Sequence, residues 1–145
     1  MPAALPDASL FRFEIDVPVR WGDMDALGHV NNTVYFTYFE MVRIAYFDRI
    51  GAFSRYASDG LGPILASTHC DFLLPVKYPA TLKAAVRVAR VGQTSFAMEY
   101  LLRDAASGAA VAKGTAVNVF YDYRAEKKIP VPDFIRRAIG EVEGG

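Results

Sequence analysis

Apolar and polar residues alternate from Leu10 to Arg20. Phe11, Phe13, Ile15, Val17 and Val19 fall on one side, with Arg12, Glu14, Asp16, Pro18 and Arg20 on the other. A period of two predicts a half-buried strand over 10–20, at a sheet edge or ending at Pro18, whose nitrogen cannot donate. After Asn31 the period changes. Val34, Tyr38, Val42 and Ala45 recur at helical spacing, and so do Tyr35, Phe39, Val42 and Tyr46. These stripes predict a helix over 32–50, apolar on most sides and so wrapped by other structure. Asn31, Asn32 and Thr33 are suited to cap its start, and Gly51 its end. A polar loop follows over 52–62, then four strands over 63–74, 81–91, 95–104 and 109–123, separated by turn residues. The last three read as an antiparallel meander. Pro132 suits the start of a short helix over 133–140. One long apolar helix among antiparallel strands predicts an α+β fold, a curved sheet of about five strands wrapped around the helix. Its core lies within about 10–123.

Length and charge narrow the reading. The 145 residues suit one domain with one core, 1–145. Lys and Arg number 16 and Asp and Glu 16, so no broad positive field exists to hold a nucleic acid. No apolar run exceeds four residues, too short to span a bilayer. Residues 1–7 lack the basic start and apolar stretch of a secretory leader. A single cysteine, Cys70, has no internal disulfide partner, so a reducing, cytoplasmic setting is expected. A curved single sheet also leaves strand edges open, so a homodimer or homotetramer is expected.

Chemistry concentrates in Arg20-Trp21-Gly22-Asp23-Met24-Asp25-Ala26-Leu27-Gly28-His29-Val30-Asn31-Asn32, between the first strand and the helix. A helix start offers unpaired N–H groups and partial positive charge to a developing oxyanion. A carboxylate beside it is placed to act as base or nucleophile. The pattern Val19-Arg20-x-x-Asp23-x-Asp25-x-x-Gly28-His29-Val30-Asn31-Asn32-x-x-Tyr35-x-x-Tyr38-Phe39-Glu40 resembles the signature of hotdog-fold acyl-CoA thioesterases of the 4-hydroxybenzoyl-CoA thioesterase-like family. The resemblance covers about 11–123 and implies a hotdog fold and hydrolysis of an acyl-CoA to free acid and coenzyme A. It implies that Asp25 attacks the thioester carbonyl or activates water, and that the backbone near Asn32 holds the oxyanion. Gly28 and His29 are counted with Asp25 and Asn32 as catalytic residues: Gly28 shapes the turn, and His29 reads either as an acid or orienting donor or as a capping or packing residue. Asn31, Tyr35 and Glu40 are assigned to substrate contact, with Glu40 the alternative catalytic carboxylate. Some relatives carry a basic cluster at the hairpin between the third and fourth strands. Here that turn, Val91-Gly92-Gln93-Thr94-Ser95, is uncharged, and Arg87 and Arg90 are the phosphate candidates, with Lys77, Arg124, Lys127 and Lys128 nearby. Neither a metal nor a cofactor is expected. The alternatives are a non-catalytic acyl-thioester binding module, an acyl-carrier-protein thioesterase, and a hotdog dehydratase, for which a His-Phe-Pro signature is absent.

Plainer roles compete at several positions. Asp23 reads as structural, paired with Arg20. Glu40 and Arg43 at i, i+3 read as a solvated ion pair. Most helix aromatics are core. Ser67, His69 and Asp71 on one strand face mimic a hydrolase triad, but residues two apart lie about 6.6 Å apart along a strand. Triad contacts need about 2.6–3.2 Å, which argues against it. Cys70 reads as a small core residue, and two histidines forty residues apart make a poor metal set.

Overall fold

The computed structural model describes residues 4–144. Strand β1 (Phe13–Pro18) leads through a 3-10 turn (Trp21–Asp23) to helix α1 (Asn32–Ile50). A short helix α2 (Tyr56–Asp59) precedes β2 (Leu61–Phe72), β3 (Thr81–Val91), β4 (Ser95–Asp104) and β5 (Ala110–Asp122). A two-residue strand β6 (Lys127–Lys128) and helix α3 (Asp133–Glu143) close the chain. The sheet order is β1-β3-β4-β5-β2, antiparallel throughout, with β6 beside β5. The predicted meander is therefore present, and α2 and β6 are additions to the predicted pattern. The sheet curls around α1 in a hotdog fold.

Local chemistry sets the bounds of α1. The Asn31 side chain accepts from the Thr33 N–H at 2.9 Å, a cap that satisfies one orphan donor. Gly51 ends the helix at φ 73°, a left-handed conformation that costs glycine little. Between them Tyr35, Tyr38, Phe39, Val42, Tyr46, Phe47 and Ile50 enter the core, each such burial contributing about 1.5–3 kcal/mol. They meet Leu82, Ala84, Val86 and Val88 of β3 and Phe96, Met98, Tyr100 and Leu102 of β4. Phe39 stacks on Tyr100 with ring centroids 4.3 Å apart. Gly114 permits this approach, because a Cβ there would lie 2.5 Å from Phe39 Cε2.

The helix is not wrapped on all sides, contrary to the expectation from its apolar stripes. Phe36, Met41 and Ile44 remain 37%, 43% and 40% exposed, because α1 packs towards β1 and β3 and leaves the β2 side open. On the outer face of the sheet, Lys83 pairs with Asp16 at 2.6 Å, Arg103 with Glu14 at 3.1 Å, and Arg87 with Glu99. α3 docks through Ile135 and Ile139. It is pinned where Glu143 accepts from the Tyr46 hydroxyl at 2.6 Å and the Val88 N–H at 3.0 Å.

Candidate active site

The loop from Arg20 to Asn31 is built around Asp23. Its carboxylate, in a residue 2% exposed, accepts from the Arg20 N–H at 2.9 Å, the Arg20 guanidinium at 3.2 and 3.0 Å and the Tyr38 hydroxyl at 2.8 Å. Burial alone would raise its pKa, but the donors from Arg20 and Tyr38 together outweigh it and hold the group below the ordinary carboxylate range. The same burial, with Asp23 as acceptor, pushes the Tyr38 phenol strongly up. Asp23 is a structural anchor paired with Arg20.

Beyond Asp23 the chain doubles back. Met24 bridges Val30, the Asp25 N–H donates to the His29 carbonyl at 3.0 Å, and the Gly28 N–H donates to the Asp25 carbonyl at 3.0 Å. Gly28 sits at φ 79°, which explains a glycine at this turn. The Val30 N–H donates to the Val76 carbonyl at 2.8 Å, tying the loop to the segment after β2. Asp25 stands exposed at the loop tip. One carboxylate oxygen, Oδ1, accepts from the Leu27 N–H at 2.9 Å, and among the described residues the other has no hydrogen-bond partner.

At the start of α1 the donors are apportioned. The Thr33 N–H goes to the Asn31 side chain and the Val34 N–H to the Asn31 carbonyl at 3.0 Å. The Asn32 N–H is left without an acceptor among the described residues, as the first helical position requires. Beside it lies a cleft of about 340 Å³ lined by His29, Val30, Asn32, Tyr35, Phe72, Leu73, Leu74 and Pro75. Tyr35 packs edge-on to Phe72, ring centroids 5.1 Å apart. Pro75 is shared with a second cleft, about 560 Å³, that holds Lys77, Pro79, Thr81 and Asp104.

The structure thus brings His29, Asn32 and Tyr35 to one cleft, with Asp25, Gly28 and Asn31 in the turn and cap that frame it. It does not bring Arg87, Arg90 or Glu40 there. Val19 joins Ala80 at 2.8 Å near the start of β3, whereas Arg90 lies nine residues along that strand, about 30 Å away. Arg87 is also neutralised by Glu99 on the outer face. Glu40 lines a separate groove with Phe36, Thr37, Arg43, Leu65 and Thr68. The expected Glu40–Arg43 ion pair is absent among the described residues, and Arg43 instead donates to the Tyr100 hydroxyl at 3.0 Å. Sequence reasoning missed the cleft walls Phe72 and Leu74, although their alternation with Cys70 marks one strand face. The Val30–Val76 hydrogen bond that brings that face to the loop carries no local signal.

Contrary to the expectation from strand spacing, two members of the Ser67, His69 and Asp71 set do meet. His69 Nε2 lies 3.0 Å from Asp71 Oδ1, because backbone spacing does not limit how far two side chains lean together. The two side chains are 66% and 45% exposed, and among the described residues no hydrogen bond joins Ser67 to His69. Burial, with Asp71 a smaller contribution, pushes the Cys70 thiol up to about 12, the opposite of a nucleophile. Among the described residues no group of three or more His, Cys, Asp or Glu could hold a metal ion.

A sheet curled around one helix, with a carboxylate loop folded against the helix start, defines a hotdog protein with its polar site at that start. The Thioesterase-like superfamily profile matches residues 19–139, and the chain belongs to that family. Over 91 residues it is 36% identical to YsmA of Bacillus subtilis (strain 168), a match covering 63% of this chain and 60% of that protein, less than two thirds of its length. The PA2801 protein of Pseudomonas aeruginosa is 35% identical, with 89% of this chain and 98% of that chain covered at a TM-score of 0.80. A Thermus thermophilus thioesterase solved with coenzyme A and Zn is 33% identical, covering 94% and 97% at 0.82. A 1,4-dihydroxy-2-naphthoyl-CoA thioesterase from Synechocystis, 18% identical, covers 88% and 94% at 0.79 and shares the fold.

Proposed function

We propose that the protein is a thioesterase that hydrolyses an acyl-CoA to a free acid and coenzyme A. The observation that carries this reading is the free Asn32 N–H at the start of α1, bordering a largely apolar cleft, with the Asp25 carboxylate on the loop that leads into the helix. The thioester carbonyl sits with its oxygen towards Asn32 N–H, where the helix dipole adds to the hydrogen bond. The unpaired Asp25 oxygen then either removes a proton from water, which adds to the carbonyl carbon, or adds to that carbon itself. Collapse of the tetrahedral intermediate breaks the C–S bond and releases the thiolate, which takes up a proton. In the second route water then cleaves the acyl-aspartyl anhydride. The acyl group lies against Tyr35, Phe72 and Leu74.

Coenzyme A rather than a carrier-protein arm is favoured by the Thermus relative, whose structure was solved with coenzyme A. The phosphates are placed beyond Pro75, towards Lys77 in the adjoining cleft, rather than at Arg87 or Arg90. A homo-oligomer covers the open β2 side of the helix.

A panel of acyl-CoAs, with thiol release followed for wild type and Asp25→Asn, tests the reading. Turnover by wild type and its loss in the variant is expected. Saturable binding with no thiol released would make the protein a binding module, and undiminished turnover in the variant would remove Asp25 from the chemistry.

A further inference from the structure

Trp21 and Leu27 are 73% and 84% exposed, more than any other large apolar side chain among the described residues. Their exposure is not the slack of a loose loop. Trp21 opens the 3-10 turn that Arg20 and Asp23 cap reciprocally. Leu27 sits at the tip of the turn that Met24 and Val30 bridge, its N–H held by Asp25 Oδ1 at 2.9 Å. The Gly28 N–H closes that turn on the Asp25 carbonyl at 3.0 Å. A backbone so tied holds both side chains out in water, where each forgoes the burial that stabilises an apolar group.

Two more apolar side chains stand beside them. The Val19 N–H donates to the Ala80 carbonyl and the Val30 N–H to the Val76 carbonyl, each at 2.8 Å. Residues 19–30 therefore lie alongside 74–80, where Leu74 and Tyr78 are 48% and 47% exposed. The four flank the mouth of the cleft at Asn32 and Tyr35, of which Leu74 is itself a wall. An apolar cluster held rigidly at a surface marks a contact with a membrane or another molecule, and its shape and chemistry favour the membrane. Leu27 crowns a convex tip, which fluid hydrocarbon moulds around but a folded partner must be carved to receive. Trp and Tyr carry amphipathic rings that settle at the headgroup level of a bilayer. Arg20, its side chain 80% exposed, and the exposed Lys77 set positive charge beside them. Asp23 is buried, so Asp25 is the one exposed acid on the two segments.

We propose that this rim docks on a lipid surface. Leu27 and Trp21 enter the boundary between headgroups and acyl chains, Leu74 and Tyr78 lie against it, and Arg20 and Lys77 meet lipid phosphates. The docking is peripheral, since among the described residues no helix is long and apolar enough to cross a membrane. On the thioesterase reading, the acyl cleft then opens onto the phase into which an amphiphile with a long acyl chain partitions. The docking itself does not depend on that reading, and its test involves no thioester.

Trp21 is the only tryptophan of the chain, so its fluorescence reports the contact directly. On addition of vesicles of phosphatidylcholine and phosphatidylglycerol, its emission should shift to the blue and be quenched by nitroxide placed high on the lipid acyl chains. Leu27→Gln, read by the same emission, should lower the partition constant by roughly tenfold or more, as expected for one leucine withdrawn from hydrocarbon. Trp21→Gln, followed by co-sedimentation with the vesicles, should do the same. Ile64→Gln changes an apolar side chain 38% exposed on β2, away from the rim, and should leave the partition constant unchanged. Urea unfolding confirms that each variant is folded. The proposal is overturned by an emission that vesicles leave unaltered, by a folded Leu27→Gln that binds as wild type does, or by an equal loss in Ile64→Gln. A blue shift that follows protein concentration without lipid would assign the rim to a second copy and overturn it too.

Discussion

Asp23 and Asp25 lie two residues apart and are expected to separate stability from chemistry. Asp23→Ala removes the acceptor of four hydrogen bonds. The Tyr38 hydroxyl, in a residue 2% exposed, is then left buried and unpaired, at about 1–3 kcal/mol. Loss of the Arg20 N–H bond adds about 0.5–1.5 kcal/mol. The guanidinium contributes little, because the Arg20 side chain is 80% exposed and such pairs are worth about 0–1 kcal/mol. The total is a destabilisation of about 1.5–5.5 kcal/mol, or roughly 3–20 °C in Tm for a domain of this size. Asp25→Asn removes an exposed charge while its amide oxygen still accepts from Leu27, so stability should move by no more than about 0.5 kcal/mol. Its acyl-CoA turnover should fall by roughly 100-fold or more, the usual worth of a general base. Urea denaturation and thiol-release kinetics on both variants check the pair. Asp23→Ala unfolding within about 0.5 kcal/mol of wild type, or Asp25→Asn costing more stability than Asp23→Ala, would refute the division of roles.

The Asp23 pKa is lowered on folding, so its stabilisation is fully present above the ordinary carboxylate pKa and lost as pH falls through the folded value. The stability gap between wild type and Asp23→Asn, followed by urea midpoints, should therefore shrink as the solution is acidified below about pH 4. Cys70, buried with its thiol pushed up to about 12, should react with a disulfide reagent at about pH 8 only as fast as the protein unfolds; rapid labelling of the folded protein would contradict its core placement. Gly114→Ala would press a methyl against Phe39 and the His69 carbonyl, destabilising by about 1–3 kcal/mol in urea titrations. Glu143→Ala strands both the Tyr46 hydroxyl and the Val88 N–H and should cost more than Tyr46→Phe, which removes a single bond of about 1 kcal/mol.

How far this fold was legible depends on the range of the forces involved. α1 runs over the predicted 32–50 because Asn31 and Gly51 act on their immediate neighbours. β3 and β4 match their predicted bounds because the turns between them are equally local. The candidate catalytic segment was readable for the same reason, since Asp25, Gly28, His29 and Asn32 fall within eight consecutive positions and fold mainly on one another. Where distant strands decide, sequence proximity misleads. Arg87 and Arg90 lie near the right hairpin in the chain, but at the end of β3 remote from the cleft. Glu40 and Arg43 have the spacing of an ion pair, yet Tyr100, held against Phe39 by a stacking contact, takes the guanidinium inward. That diversion leaves a carboxylate on the rim and a cation below it, neither with a partner of opposite charge among the described residues. A pattern that local rules complete incorrectly thus marks a place where a partner distant in the chain, here the Tyr100 hydroxyl, outcompetes the neighbour one turn away.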